Sequence, residues 1–157
     1  MKTTMKPILV MLLAIVMLLS VVSCNDTKSP AESTPQQQQN NTPSGQIEAT
    51  GLWANAKYLK DTTVGEGAKT VLVDIEAAGQ KITLTVNTDK ENLGEALFAL
   101  GIINDASFFD TANGIKADWN ADQAYWGFYE GENYMMVGVG DVKLSGGEHY
   151  RLVYTKG

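Results

Sequence analysis

Between Asn25 and Gly45 the chain carries Pro30, Pro35 and Pro43, the run Gln36 to Gln39, the pair Asn40-Asn41, and no large apolar residue. Such a stretch buries too little surface to offset chain entropy, so any core must be assembled from Gln46 to Gly157. That is material for about one domain, and it excludes a large multidomain enzyme. No internal repeat subdivides it. The stretch before it acts as a tether, spanning at most about 70 Å extended and nearer 25 Å as a coil.

The N-terminus gives an address. Lys2 and Lys6 precede twelve apolar residues, Ile8 to Leu19, and the chain then runs Ser20-Val21-Val22-Ser23-Cys24. Even counted through Val22 the apolar stretch is fifteen residues, short of the roughly 20 that cross a bilayer as a helix. Residues 1–23 therefore read as a signal peptide. The ending Val21-Val22-Ser23-Cys24 resembles the lipobox of bacterial lipoproteins, in which the cysteine becomes the lipid-bearing first residue. Ordinary secretion would leave Cys24 as a free thiol, a liability in an oxidising compartment. Diacylglycerol on Cys24 supplies two chains, the condition for stable anchoring. The expectation is a signal peptide over 1–23, lipidated Cys24 and a linker over 24–45, and a domain over 46–157. It would be held at the extracytoplasmic face of a bacterial cell membrane.

Charge and cysteine content narrow the partners. The chain has 12 Lys+Arg against 18 Asp+Glu, and loss of Lys2 and Lys6 leaves ten against 18, a net of −8. That disfavours nucleic acid, whose binding rests on Lys and Arg displacing counterions from phosphate. One cysteine excludes an internal disulfide, and one histidine leaves no Cys/His set for zinc. No metal and no resident cofactor is expected.

The remaining pattern is mostly strand. Thr70 to Glu76 places Val71, Val73 and Ile75 on one face, and Lys81 to Val86 does the same with Ile82, Leu84 and Val86. Ala77-Ala78-Gly79-Gln80 joins them as a hairpin. Thr88-Asp89-Lys90-Glu91 matches a capping box, predicting a helix over Glu91 to Leu100 with the stripe Leu93, Ala96, Leu97, Leu100 and a cap at Gly101. Asn113-Gly114 predicts a second hairpin between Phe108 to Ala112 and Ile115 to Trp119. Ala124 to Tyr129 and Tyr134 to Val137 form a third, and Tyr150 to Tyr154 the last strand. The fold class is α+β, a β-grasp-like antiparallel or mixed sheet with one covering helix.

These segments carry a family resemblance. Leu52-Trp53-Ala54-Asn55-Ala56-Lys57-Tyr58, Gly65 to Val71, Thr88-Asp89 ahead of Leu93-Gly94-Glu95-Ala96-Leu97, Asn113 to Asp118, Ala124 to Tyr129 and Tyr150 to Thr155 together resemble the transcobalamin C-terminal-like domain of bacterial surface lipoproteins, a domain of unknown function. The resemblance spans about Leu52 to Lys156. In animal cobalamin carriers the related domain is a β-rich cap closing over the corrinoid, so the resemblance implies that fold and cobalamin as a ligand. The pair Tyr125-Trp126 resembles an aromatic-Trp pair on a strand of the carrier domain.

Candidate chemistry is sparse. Asp118-Trp119-Asn120-Ala121-Asp122 opens like a calcium loop, then has Gln123 where Gly belongs and Tyr129 where the bidentate Glu belongs. A polar hairpin turn is the better reading. His149 stands beside the turn into the last strand with no Cys or Ser to activate, and Glu130 and Glu132 flank Gly131 in an exposed turn. The chain is therefore expected not to be an enzyme. Alternation on Ala124 to Tyr129 sets Trp126 and Phe128 inward and Tyr125 and Tyr129 outward, with Gly127 between them as the floor of a shallow saddle. Trp119, Tyr125, Tyr129 and Tyr134 are the candidate ligand-binding residues. Two functions compete: capture of a small ligand, a corrinoid such as cobalamin, for delivery to a membrane importer, and a structural or adhesive surface module binding glycan or protein.

Overall fold

The computed structural model describes residues 46–157. The signal peptide expected over 1–23, the lipidated Cys24 and the linker to residue 45 lie outside the described residues. The architecture is α+β, as the strand pattern predicts. Its strands are β1 (Thr62–Gly65), β2 (Lys69–Ala77), β3 (Gln80–Thr88), β4 (Thr111–Ala112), β5 (Ile115–Lys116), β6 (Ala124–Glu130), β7 (Asn133–Tyr134) and β8 (His149–Lys156). Six of them form one mixed sheet in the order β1-β3-β2-β8-β6-β7, while β4 and β5 pair separately. The β2–β3 hairpin turns on Ala78 and Gly79, both at positive φ. β8 then lies parallel to β2 and antiparallel to β6, the β-grasp arrangement in which a late strand enters beside the first strand of the hairpin.

Alternation sends Val71, Val73, Ile75 and Ala77 of β2, Ile82, Leu84 and Val86 of β3, Trp126 and Phe128 of β6, and Tyr150 and Leu152 of β8 into one core. Leu93, Ala96 and Leu97 of the helix α1 (Leu93–Ala99) join it. The helix ends in a Schellman motif: Gly101 N–H donates to Phe98 C=O and Ile102 N–H to Leu97 C=O, both at 2.9 Å, with Gly101 at positive φ.

The start of the helix corrects the expected capping box. Thr88 is the buried last residue of β3, and its hydroxyl accepts from Lys90 N–H (3.0 Å). Asn92 is the cap, accepting from Glu95 N–H at 2.8 Å. Long β strands won over a local capping pattern because β3 has a continuous partner through Thr88 in β2. Three further boundaries move. The Asn113-Gly114 hairpin is two residues a side rather than five, leaving Phe108 outside any strand. Met135 to Val137 leaves the sheet after β7. The expected polar turn at Asp118 to Asp122 is a single helical turn, α2 (Trp119–Asp122), capped by Asp118, which accepts from Asn120 and Ala121 N–H. β1 and a 3-10 segment over Gly51–Asn55 were not anticipated. Buried Asn113 secures the chain after that segment, accepting from Tyr58 N–H (2.8 Å) and donating to Tyr58 C=O (2.9 Å).

Candidate functional site

An apolar cleft opens where β6 meets two loops. On one wall, the Asp105 carboxylate accepts the N–H groups of Ser107 and Phe108, both at 2.8 Å, tightening a turn that leaves Phe108 89% exposed. Those amide donors, Phe108 first, hold the Asp105 carboxyl below its ordinary range. On the other wall, Met135 makes one rung beyond β7, its N–H donating to Phe128 C=O at 2.9 Å. Met136 then swings out to 89% exposure, with Val137 also exposed. The cleft holds about 330 Å³ and is lined by Ser107, Phe108, Phe109, Trp126, Phe128, Tyr134 and the stretch from Met135 to Val139. Among the described residues no charged side chain lines it.

Its floor is rigid. The Trp126 indole N–H donates to Ile115 C=O (3.2 Å), and the Tyr154 ring meets the Trp126 ring edge-on, with centroids 5.5 Å apart. Phe128 rests on Tyr150 at 5.8 Å. The walls are the opposite, with large side chains projecting into water. Clustered exposed apolar side chains of this kind mark binding surfaces, unlike single exposed ones.

The four candidate aromatics form two pairs rather than one platform. Trp119 and Tyr125, both exposed, meet at 6.3 Å beside α2. Tyr129 and Tyr134 meet edge-on at 5.2 Å, and the Arg151 guanidinium lies 5.4 Å from the Tyr129 ring centre. The Tyr129 ring folds back across Gly127, so that a Cβ built on that glycine would stand 3.1 Å from Tyr129 Cε2. The hollow expected between Tyr125 and Tyr129 is thus filled by Tyr129 itself. Tyr134 is the member of the set that also borders the cleft.

On the outer face of the sheet lies a polar cluster that the sequence did not disclose. Asp74, 1% exposed, accepts from Thr83 Oγ1 (2.7 Å), Lys81 Nζ (3.0 Å) and His149 Nε2 (3.1 Å). Beside it Arg151 grips Glu76 through two nitrogens at 2.7 and 3.2 Å and reaches Glu132 at 3.1 Å. Burial alone would raise the Asp74 carboxyl, but the bonds from Thr83, Lys81 and His149 outweigh it and hold the group below its ordinary value. A carboxyl lowered by folding contributes stability that is complete above its unfolded value, about 4, and is lost as pH falls through the folded value. Asp74→Asn is expected to destabilise the domain at pH 7, with the gap to the wild type closing below about pH 4. Urea denaturation across pH 2–7 measures it, and a gap that persists at low pH would show that the charge is not what stabilises. Among the described residues no three His, Cys, Asp or Glu side chains converge as metal ligands.

No protein-family model and no curated protein matches the chain. Solved structures do. A provisionally assigned metal-binding protein from Ruminococcus gnavus ATCC 29149 superposes with a TM-score of 0.53 at 21% identity, over 57% of this chain and 99% of that one. Haptocorrin in complex with Cbi superposes with a TM-score of 0.45 at 15% identity, over 59% of this chain and 26% of that one. The Ruminococcus likeness is one of fold.

Proposed function

We propose that this chain is a lipid-anchored extracytoplasmic capture protein of the transcobalamin C-terminal-like family. It takes one part of a small ligand into the cleft beside β6 and passes it to a membrane importer. A corrinoid is the ligand class the residue-level resemblance implies, and no catalytic step is assigned. The observation that carries the reading is the cleft itself: a fixed aromatic floor of Trp126 and Phe128 between walls whose Phe108 and Met136 are almost wholly exposed. At about 330 Å³ it stands at the lower end of ligand-site volumes, roughly 300–1,000 Å³. It therefore grips one edge of a larger conjugated ring and leaves the rest open for transfer.

The test is titration of the full-length chain with cobalamin, cobinamide and soluble cell-wall glycans, read by equilibrium dialysis and by tryptophan fluorescence. Phe108→Ala and Met136→Ala are each expected to weaken corrinoid binding about tenfold, equivalent to about 1.4 kcal/mol. Thermal stability should stay put, because truncating exposed side chains falls within about 0.5 kcal/mol. The exposed Trp119–Tyr125 pair favours a second reading, in which aromatic rings stack on sugar. If Trp119→Ala and Tyr125→Ala abolish glycan binding while no corrinoid binds, the adhesive module replaces the capture protein.

A further inference from the structure

Residues 46–157 contain no cysteine, and their only sulfur atoms are the thioethers of Met135 and Met136. Both residues border the apolar cleft, yet the two neighbours are placed oppositely. Met135 is half-buried and packs against the core, held by the bond from its N–H to Phe128 C=O at 2.9 Å. Met136 follows it out of the sheet and is 89% exposed. Methionine suits an apolar wall because its thioether is soft and adaptable, and the same sulfur is open to attack on peroxide.

We propose that Met136 is an oxidation site through which peroxide weakens the hold of the cleft on its ligand. A lone pair of the thioether sulfur attacks one oxygen of hydrogen peroxide, and the S–O bond forms as the O–O bond breaks. The proton left on the transferred oxygen passes to the departing hydroxide, which leaves as water. Sulfur is oxidised by two electrons and peroxide is reduced by two. A thiol-dependent reductase reverses the change, two thiols becoming a disulfide while the oxygen departs as water.

Placement decides the consequence. Nearly all of the Met136 side chain already meets water, so its sulfoxide stays hydrated and the fold loses no packing. A ligand covering that wall strips the water away, and among the described residues no charged side chain lines the cleft to replace it. Burial of an unpaired polar group then opposes binding. Met135 is the counter-case, since an oxygen there would lie against the core. Reactivity follows exposure, Met136 first, so a low dose of peroxide alters the site while the fold persists. This control rests on the capture reading, and the extracytoplasmic side proposed there lacks the reducing thiols of the cytosol.

The experiment treats the full-length chain with graded hydrogen peroxide and removes the excess with catalase. Peptide mapping by mass reads one added oxygen at Met136 and at Met135, and thermal unfolding reads the fold. Binding is read with two probes, cobinamide and the uncharged apolar dye Nile red. Met136 is expected to gain oxygen about tenfold faster than Met135. The dose that converts it should leave the thermal midpoint unchanged and weaken both probes about tenfold. In Met136→Leu, whatever its starting affinity, the same dose should leave binding where it was. Equal oxidation of the two methionines, binding indifferent to Met136 oxidation, or an equal loss in Met136→Leu would each overturn the proposal. So would a chain that binds neither probe before treatment. Dye binding lost on oxidation in a chain that never binds cobinamide upholds the switch and overturns the corrinoid reading. Cobinamide binding that survives complete Met136 oxidation does the reverse.

Discussion

Trp53→Ala is expected to cost about 3–5 kcal/mol of unfolding free energy, the range for truncating a fully buried tryptophan. Trp53 is 1% exposed and belongs to a 3-10 segment with no side-chain cap. What holds that segment is the Trp53 ring in the core and its indole N–H, which donates to Ala77 C=O at 3.1 Å. The substitution removes the packing and also leaves a buried carbonyl without that donor, a penalty beyond the lost apolar area. Urea denaturation at neutral pH reads the change as a lowered midpoint. A cost below about 0.5 kcal/mol would show that the segment drapes over the core without belonging to it.

Leu97→Ala follows, at about 2–5 kcal/mol, the range for a buried leucine. Leu97 has no exposed surface, and its carbonyl also closes the Schellman motif through Ile102 N–H. The substitution leaves that main-chain bond in place and alanine favours helix, so the loss isolates packing. The exposed neighbour Phe98 supplies the contrast: Phe98→Ala should stay within about 0.5 kcal/mol. Equal losses at the two positions would mean that the helix does not present the expected face to the sheet.

The hairpin turns were the most legible part of the chain, because Gly79 and Asn113-Gly114 announce positive φ, and these residues adopt it. The helix face was legible for the same local reason, its stripe repeating at helical spacing. The helix start was not. Thr88 to Glu91 and Asn92 to Glu95 both satisfy a capping pattern, and only the pairing of β3 with β2 decides between them. β1 escaped notice because its four residues hold one buried apolar side chain, Val64, and its parallel pairing with β3 leaves no mark in local sequence.

The sites were less legible than the fold. Asp74 alternates outward on β2 and so reads as solvated. Its burial depends on Thr83, which the hairpin register sets directly across from it, and on His149 from the far end of the chain. Met135 to Val137 reads as the continuation of a strand, and its departure from the sheet is what opens the cleft. The identity of Trp119, Tyr125, Tyr129 and Tyr134 as aromatics on or near one strand was plain. The closing of the Gly127 hollow was not, since it depends on the rotamer of Tyr129.

The position of β8 carries a kinetic consequence. This strand fills the middle of the sheet, with Leu72 pairing His149 on one side and Phe128 pairing Leu152 on the other. Until β8 docks, the β2–β3 hairpin and the β6–β7 hairpin share no strand contact and form two separate halves. Closing the loop that joins β2 to β8 costs chain entropy before any contact rewards it, and such non-local pairing places folding in the millisecond-to-second range. The transition state is therefore expected to be set by the docking of β8, with Leu152→Ala slowing refolding.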